Sequence, residues 1–170
     1  MARRRRDPGL LCGEGGEKVR LLRRLLRELN SGYSPDESRI IRINDQYFAL
    51  DAELCEPPAR KDLVYAGLYL GRDRRVFEPS AILLEMLSKE KETRKVNVDM
   101  ETAWLFVCGR DIFQENILQV EGGLSPGSYC LVIFDGWCLG YGRYETVWSS
   151  RMIRNYFNIG DFLHREGSTP

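Results

Sequence analysis

The sequence predicts an α+β chain in which a small α/β domain precedes a small β-barrel. A leucine pattern of helical period lies near the start, and short apolar segments separated by turn residues fill the second half. Between them, Ser88-Lys-Glu-Lys-Glu-Thr-Arg94 reads as a charged connector, so we place the domain boundary near Glu92 to Lys95. The predicted division is a flexible basic arm over residues 1–16, an α/β domain over 17–93 and a barrel domain over 94–170.

The clearest predicted helix runs from Glu17 to Leu29. Its apolar residues recur on one face at helical spacing, and arginines occupy the rest of the surface. The buried positions predicted by this pattern are Val19, Leu22, Leu25, Leu26 and Leu29. The segment Asn30-Ser-Gly-Tyr-Ser-Pro35 then ends the helix.

The rest of the first half predicts a short sheet and a second helix. A hairpin turns at Asn44-Asp45, a loop follows at Glu56-Pro-Pro-Ala59, and Pro79 is expected to start a helix that ends near Lys89. The predicted strands are Arg39 to Asn44, Gln46 to Leu50, Val64 to Gly71 and Arg75 to Phe77. The helix residues expected to face inward are Ile82, Leu83, Met86 and Leu87.

The second half is expected to consist mostly of strands. Asp99 follows the first of them and could cap a helical turn through Glu101 and Thr102. Asn158 could cap a terminal helix that ends at Glu166. The predicted short strands are Lys95 to Asp99, Ala103 to Cys108, Ile117 to Val120 and Arg151 to Phe157.

The stretch from Gly122 to Tyr144 predicts a central hairpin. Asp135-Gly136 readily supplies the two positive φ angles of a type I′ turn between apolar strands over residues 128–134 and 137–143. With a two-residue turn, the expected pairs are Phe134 with Trp137, Val132 with Leu139, and Cys130 with Tyr141. Gly140 and Gly142 would then share one face, where another backbone or a ligand could approach closely.

Composition narrows the possible functions. The chain has 170 residues, no net formal charge and 43% hydrophobic residues, as a globular protein does. Its 25 basic residues are 20 Arg and 5 Lys, yet residues 94–170 carry only 7 basic against 9 acidic groups, so a basic site there must be local. No apolar run approaches the roughly 20 residues of a membrane span, and we expect a cytoplasmic protein. The five cysteines are scattered and suggest neither zinc nor disulfides.

The residues give little support for catalysis. The one histidine, His164, is close to the end of the chain, where a structural role is the ordinary expectation. Gly13-Glu-Gly-Gly-Glu-Lys18 is similar to a phosphate-binding loop, but Val19 replaces the Ser or Thr that magnesium binding requires. We therefore expect a protein without catalytic residues, cofactor or metal, although a minimal RNA-modifying enzyme stays open as an alternative.

Several motifs carry a family resemblance. The central hairpin with its Leu139-Gly-Tyr-Gly142, together with Lys95-Val-Asn-Val-Asp99 and Leu105-Phe-Val-Cys-Gly109, resembles PUA domains, which are small RNA-binding β-barrels. The ending Ile159-Gly-Asp-Phe-Leu163 is similar to that of the Nip-seven-type factors of large ribosomal subunit biogenesis. Those factors place an α/β domain before the PUA domain, and Leu68-Tyr-Leu-Gly-Arg72 resembles the end of that first domain.

The resemblance implies a function and a site. It implies a monomeric, non-catalytic protein that binds pre-ribosomal RNA through the PUA domain and other assembly proteins through the first domain. Arg151 and Arg154 fall where the family has basic residues associated with RNA, and Arg143 and Lys95 could complete the patch. Residues three apart point to opposite faces of a regular strand, so a bulge or the strand end would have to bring the two arginines together. Tyr33, Tyr69 and Trp148 are candidates for base stacking.

Two other interpretations stay open. The four basic residues could be solvated strand charges, in which case RNA would meet Arg3 to Arg6 or the Arg20 to Arg27 helix face. The chain could also be a protein-interaction subunit, or an accessory domain of an RNA-modification complex, without strong RNA binding of its own.

Overall fold

The computed structural model of the protein describes residues 19–50 and 67–160. The predicted basic arm, the loop at Glu56 to Ala59, the start of the Val64 strand and the terminal helix beyond Gly160 lie outside these ranges. The chain divides into two compact units, each formed from two segments: Met1–Arg23 with Ser34–Leu83, and Arg24–Tyr33 with Leu84–Pro170. The predicted domain boundary near Glu92 to Lys95 stays a prediction.

Helix α1 spans Arg20–Glu28 and buries the side chains that the leucine pattern selects. Val19, Leu22, Leu25, Leu26 and Leu29 are all buried, as expected. Asn30 adopts a left-handed φ of 55°, which lets the Ser31 N–H reach the Leu26 carbonyl at 2.9 Å and the Asn30 N–H reach that of Arg27 at 3.1 Å. These bonds satisfy the last carbonyls and end the helix where the sequence predicts.

The first unit contains a four-stranded antiparallel sheet. Ile43 pairs with Gln46 across the predicted two-residue turn at Asn44-Asp45, which confirms that hairpin. Tyr47 and Phe48, in its second strand, are both buried. The strands, in their order across the sheet, are β1 Ile40–Ile43, β2 Gln46–Ala49, β3 Leu68–Asp73 and β4 Phe77–Pro79.

The segment around Pro79 differs from the prediction. The return strand is Phe77–Pro79 rather than Arg75 to Phe77, and helix α2 is Ala81–Ser88. The Ser80 hydroxyl accepts the Leu83 N–H at 3.0 Å, so Ser80 is the N-cap and Pro79 is still strand. Ile82, expected to face inward, is 51% exposed, whereas Leu84 is buried beside Leu83 and Leu87.

The second unit is built on a six-stranded sheet in the order β6-β10-β9-β8-β5-β7. All neighbouring strands are antiparallel except β5 and β8, which are parallel. The predicted hairpin forms β8 and β9 and lies in the interior of the sheet, as expected. The strands are β5 Lys95–Val98, β6 Ile112–Phe113, β7 Ile117–Glu121, β8 Tyr129–Phe134, β9 Trp137–Val147 and β10 Ser150–Asn158.

Helix α3, Met100–Val107, occupies a stretch that we predicted as a strand. Asp99 Oδ1 accepts the Thr102 N–H at 2.8 Å, which confirms the predicted cap. The turn that it starts, however, continues for two full turns because Ala103 and Phe106 then bury their side chains on one helix face. They join a core cluster whose other members are Val96, Val98, Ile112, Cys130, Val132, Leu139, Tyr144 and Ile153.

The cap gives a pH-dependent contribution to stability. The hydrogen bonds from Thr102 hold the pKa of the Asp99 carboxyl below its ordinary value. A carboxyl group whose pKa is lower in the folded state stabilises the protein above its unfolded-state pKa of about 4. This stabilisation is lost as pH falls through the folded-state pKa. Asp99→Asn keeps a capping oxygen without the charge. We therefore expect the Tm advantage of the wild type over this variant to shrink when thermal unfolding is followed from pH 6 down to pH 3; a constant difference would contradict this.

The prediction for the β8–β9 hairpin is confirmed at the turn, but it is wrong about the strand register beyond the turn. Asp135 and Gly136 have φ of 48° and 80°, and Phe134 pairs with Trp137 as expected. A bulge then shifts the pairing, and Leu139 is the extra residue. Ile133 pairs with Cys138, Val132 with Gly140 and Cys130 with Gly142, in place of the predicted Val132–Leu139 and Cys130–Tyr141 pairs.

The two glycines of β9 face another backbone, one of the two possibilities that the sequence raised. A Cβ on Gly140 would lie 2.1 Å from the Phe157 carbonyl oxygen of β10. A Cβ on Gly142 would lie 2.5 Å from the Arg154 carbonyl oxygen. The close approach of β10 to β9 thus depends on the absence of side chains at these positions.

Arg94 joins three segments of the second unit. Its N–H donates to the Leu29 carbonyl at 3.0 Å, and its carbonyl accepts the Leu131 N–H at 2.9 Å. Its Nη1 donates to the Glu28 carbonyl at 3.0 Å, and Asn30 Nδ2 donates to the Glu92 carbonyl at 3.0 Å. The end of the predicted charged connector is therefore tied to the C-terminal end of α1 and to β8.

Candidate nucleic-acid interface

The four basic residues predicted to bind RNA lie on strands of the six-stranded sheet, but they do not form one patch. Arg154 on β10 is directly opposite Arg143 on β9, and both alternate with core residues, so they lie on the outer face of the sheet. Arg151 is opposite Thr146 and lies on the same face as the core residue Ile153. The bulge in β10 falls between Asn155 and Phe157, after both arginines, and does not reunite them.

Arg143 and Arg154 share one carboxylate. Nη1 of Arg143 lies 3.4 Å from Glu145 Oε1, and Nη1 of Arg154 lies 3.5 Å from Glu145 Oε2. Two guanidinium groups against one carboxylate leave a positive excess here. Arg143 is also fixed by its Nε, which donates to the Gly127 carbonyl at 3.2 Å, so its position is set before any ligand arrives.

Tyrosine rings lie beside these arginines. The centroids of Tyr129 and Tyr156 are 5.3 Å apart, and each also contacts Tyr141. The Arg143 guanidinium lies 5.8 Å from the Tyr129 centroid, and its hydrogen bond with Tyr156 raises the pKa of Arg143. We call the set Tyr129, Tyr156, Arg143, Glu145 and Arg154 the arginine–tyrosine face.

Burial and neighbouring charge keep Tyr129 protonated. Desolvation, the Glu28 carboxylate and the Tyr156 hydroxyl raise the pKa of Tyr129 to about 12. Glu28 pairs with Arg24 at 2.7 Å, and this hydrogen bond raises the pKa of Arg24, helped by Tyr129 and Tyr156. The C-terminal half of α1 therefore adds a further exposed guanidinium and a second carboxylate near the arginine–tyrosine face.

Lys95 is not part of this face. Its side chain is 11% exposed, and its Nζ lies 3.7 Å from Glu121 Oε2 on β7. Asn97 holds the same carboxylate through a 3.0 Å hydrogen bond to Oε1. Because β8 separates β5 from β9, Lys95 lies away from Arg143, and its charge is neutralised by Glu121.

The three predicted stacking candidates differ in exposure. Tyr33 and Tyr69 are half-buried, and burial raises the pKa of both hydroxyls; the Tyr69 ring also packs on Phe48 at 5.4 Å. Trp148, by contrast, is 96% exposed. Sequence reasoning missed Tyr129, Tyr156 and Glu145, because nothing in the chain order signals that β8, β9 and β10 bring them together.

The other features to consider are metal ligands, cysteine thiols and membrane-spanning helices. Within residues 19–50 and 67–160 no group of three or more His, Cys, Asp or Glu side chains could hold a metal ion, and His164 is outside these ranges. Cys130 and Cys138 are free, and burial raises the pKa of both thiols to about 12. No helix in the same part of the chain is long and apolar enough to cross a membrane.

The mixed sheet, its single parallel pair and the helix that follows β5 define the second unit as a PUA-type fold, a class of domain that generally binds RNA. Residues 94–167 match the family described as UPF0113 PUA domain. This part of the chain is therefore a PUA domain, and it follows an N-terminal α/β region.

Solved structures agree with this fold. A conserved PUA domain protein from Thermoplasma acidophilum is 15% identical, with a TM-score of 0.51, 88% of this chain and 95% of that chain covered. A PUA domain from Aeropyrum pernix K1, solved as a tartrate complex, is 17% identical, with a TM-score of 0.53, 87% of this chain and 85% of that chain covered. No curated protein sequence matches the chain.

Proposed function

We propose that this chain is a non-catalytic RNA-binding protein that binds pre-ribosomal RNA through its PUA domain during assembly of the large ribosomal subunit. The observation that carries the RNA-binding part is the arginine–tyrosine face on the outer side of the PUA sheet. The ribosomal part rests on the similarity to Nip-seven-type factors. By the same similarity the N-terminal α/β region would bind assembly proteins. We further propose that the protein is cytoplasmic and monomeric.

The chemistry of the arginine–tyrosine face suits an RNA backbone. Its two arginines share the single carboxylate of Glu145, and the Arg24–Glu28 pair beside the face is neutral, so the local charge is positive although residues 94–170 are slightly acidic overall. Guanidinium groups recognise phosphate through paired N–H donors, and tyrosine offers a hydroxyl for phosphate or ribose. The ion pairs are partly exposed and long, at 3.4 and 3.5 Å, so a phosphate can compete with Glu145 for Arg154.

Removal of one exposed arginine tests the RNA-binding proposal. Arg154→Ala is expected to weaken binding to a structured, adenine- or uridine-rich RNA severalfold, because it removes a phosphate contact. For the same reason the slope of log K against log salt should become shallower by about one unit. Fluorescence anisotropy at several salt concentrations measures both effects.

Arg110→Ala is the matched control, because Arg110 is exposed in the same domain but belongs to neither predicted site. It should leave affinity and salt slope unchanged. Arg151→Ala tests the opposite sheet face separately. A folded Arg154→Ala protein with wild-type affinity and salt slope would remove the arginine–tyrosine face from the proposal.

A protein-interaction subunit is the second candidate function. The favouring observation is helix α3, where Met100 and Trp104, one turn apart, expose apolar side chains to solvent. If the wild-type protein shows no salt-dependent binding to structured RNA, this second function is preferred.

A further inference from the structure

The turn between β9 and β10 carries a residue that the turn itself disfavours. Val147 pairs with Ser150 across a two-residue turn formed by Trp148 and Ser149. Both have left-handed backbones, with φ of 50° and 73°. Such turns favour Asn-Gly, and a left-handed backbone is unfavourable for residues with a Cβ.

Packing does not compensate for that cost. The Trp148 side chain is almost entirely in solvent, so it contributes little buried apolar area to the stability of the hairpin. Trp148 thus combines a disfavoured backbone conformation with a ring that the fold does not cover. This combination points to a role other than stabilising the fold.

The surface next to the tip is polar and carries an available cation. A shallow depression of about 660 Å³ is lined by Phe113, Gln114, Glu115, Ser149, Ser150 and Arg151. Unlike Arg143, Arg154 and Lys95, Arg151 has no ion pair with any residue that the structure describes. The Tyr144 hydroxyl donates to Gln114 Oε1 at 3.1 Å, which leaves the amide nitrogen of Gln114 as a donor.

We propose that this hairpin tip binds one unpaired nucleotide of RNA. The base stacks on the Trp148 ring, a flanking phosphate contacts Arg151, and the hydroxyl and amide groups of the depression contact the base edge. An unpaired nucleotide is indicated because the faces of a duplex base are covered by its neighbours and cannot stack on a side chain. The inference rests on the proposed RNA-binding function and specifies the kind of RNA that it requires.

The lining favours a nucleotide over a protein partner. Interface anchors for proteins are surrounded by apolar, water-excluding contacts. Here the residues that follow Trp148 are two serines and an arginine, and the depression beside them adds a glutamine, a glutamate and a single apolar side chain, Phe113. The mixture of aromatic, hydroxyl, amide and guanidinium groups is the set that reads single-stranded RNA.

A double-mutant cycle between protein and RNA tests the proposal. The probes are a stem-loop RNA with a six-adenine loop and the same RNA with abasic loop residues, both titrated by fluorescence anisotropy. Trp148→Ala is expected to weaken binding of the adenine loop about tenfold, because the stacking of one base on the indole ring is lost. The wild type should bind the abasic loop more weakly than the adenine loop by a similar factor. Trp148→Ala should show no further loss of affinity on the abasic loop.

Two further variants separate stacking from folding. Trp148→Asn suits the left-handed turn, so it should raise Tm and still lose the adenine-loop preference. Trp148→Phe keeps an aromatic ring and should retain part of the preference for the adenine loop. Trp104→Ala, at another exposed tryptophan, should bind both RNAs like the wild type.

The outcomes distinguish this inference from the proposed function. If Trp148→Ala and Trp148→Asn fold and keep the wild-type preference for the adenine loop while Arg154→Ala loses affinity, the inference fails and the proposed function stands. An equal loss on adenine and abasic loops would also overturn stacking. If the wild type binds neither RNA, both proposals fail.

Discussion

Gly140→Ala is expected to lower the free energy of unfolding by about 3 kcal/mol or more, because it combines backbone strain with a backbone collision. The added Cβ would lie 2.1 Å from the Phe157 carbonyl oxygen and 2.7 Å from Asn158 Cα. Gly140 also has a φ of 149°, which residues with a Cβ rarely adopt. Relief would require β9 and β10 to separate in the middle of the sheet. Urea unfolding followed by circular dichroism measures the loss.

Gly136→Ala is the control for the backbone contribution alone. Gly136 has a φ of 80°, but a Cβ there would meet no atom within 4 Å. Its expected cost is about 1–2 kcal/mol, from the left-handed conformation. Equal losses in the two variants would show that the approach of β10 to Gly140 is looser than described.

Phe106→Ala is expected to lower the free energy of unfolding by about 3–5 kcal/mol, since the ring lies fully buried in the core cluster of the PUA domain. Its removal leaves a cavity between α3 and the sheet residues Val132 and Ile153. The carbonyl of Phe106 accepts a 2.7 Å hydrogen bond from Asn155 Nδ2, so relaxation of α3 into the cavity would strain that bond. Chemical unfolding of the full chain gives the value.

Trp104→Ala on the same helix is expected to change stability by no more than about 0.5 kcal/mol. Trp104 is 68% exposed, although it is only two residues from Phe106. Residues two apart share a face of a strand and lie on different faces of a helix. Similar losses at both positions would contradict the helix and favour the strand that the sequence suggested.

The fold was predictable where local chemistry decides it. The leucine spacing of α1, the Asp135-Gly136 turn and the Asp99 cap each depend on a few adjacent residues, and each is confirmed. The register of β8 against β9 depends instead on the bulge at Leu139, which no short sequence pattern marks. Helix α3 was missed because its run Trp104-Leu-Phe-Val107 has strong strand preference, and only packing of Phe106 resolves the ambiguity.

The candidate site was predictable in part. The parity argument that separates Arg151 from Arg154 came from strand geometry, and the structure agrees with it. The ion pairs of Glu145 and of Lys95 with Glu121 depend on sheet order and register, which the sequence does not reveal. The turn at Trp148-Ser149 has neither Gly nor Asn, so no turn signal marked the tip that we propose to bind a base.

The hydrogen bonds of Arg94 bear on how this domain can be moved between proteins. The family match begins at Arg94, yet the partners of its N–H and guanidinium are the carbonyls of Leu29 and Glu28. A fragment cut at that residue would leave the N–H without its acceptor beside the first strand of the sheet. The transferable module is therefore discontinuous in sequence, and a chimaera that grafts it must carry Arg24–Tyr33 along with the chain from Leu84 onward.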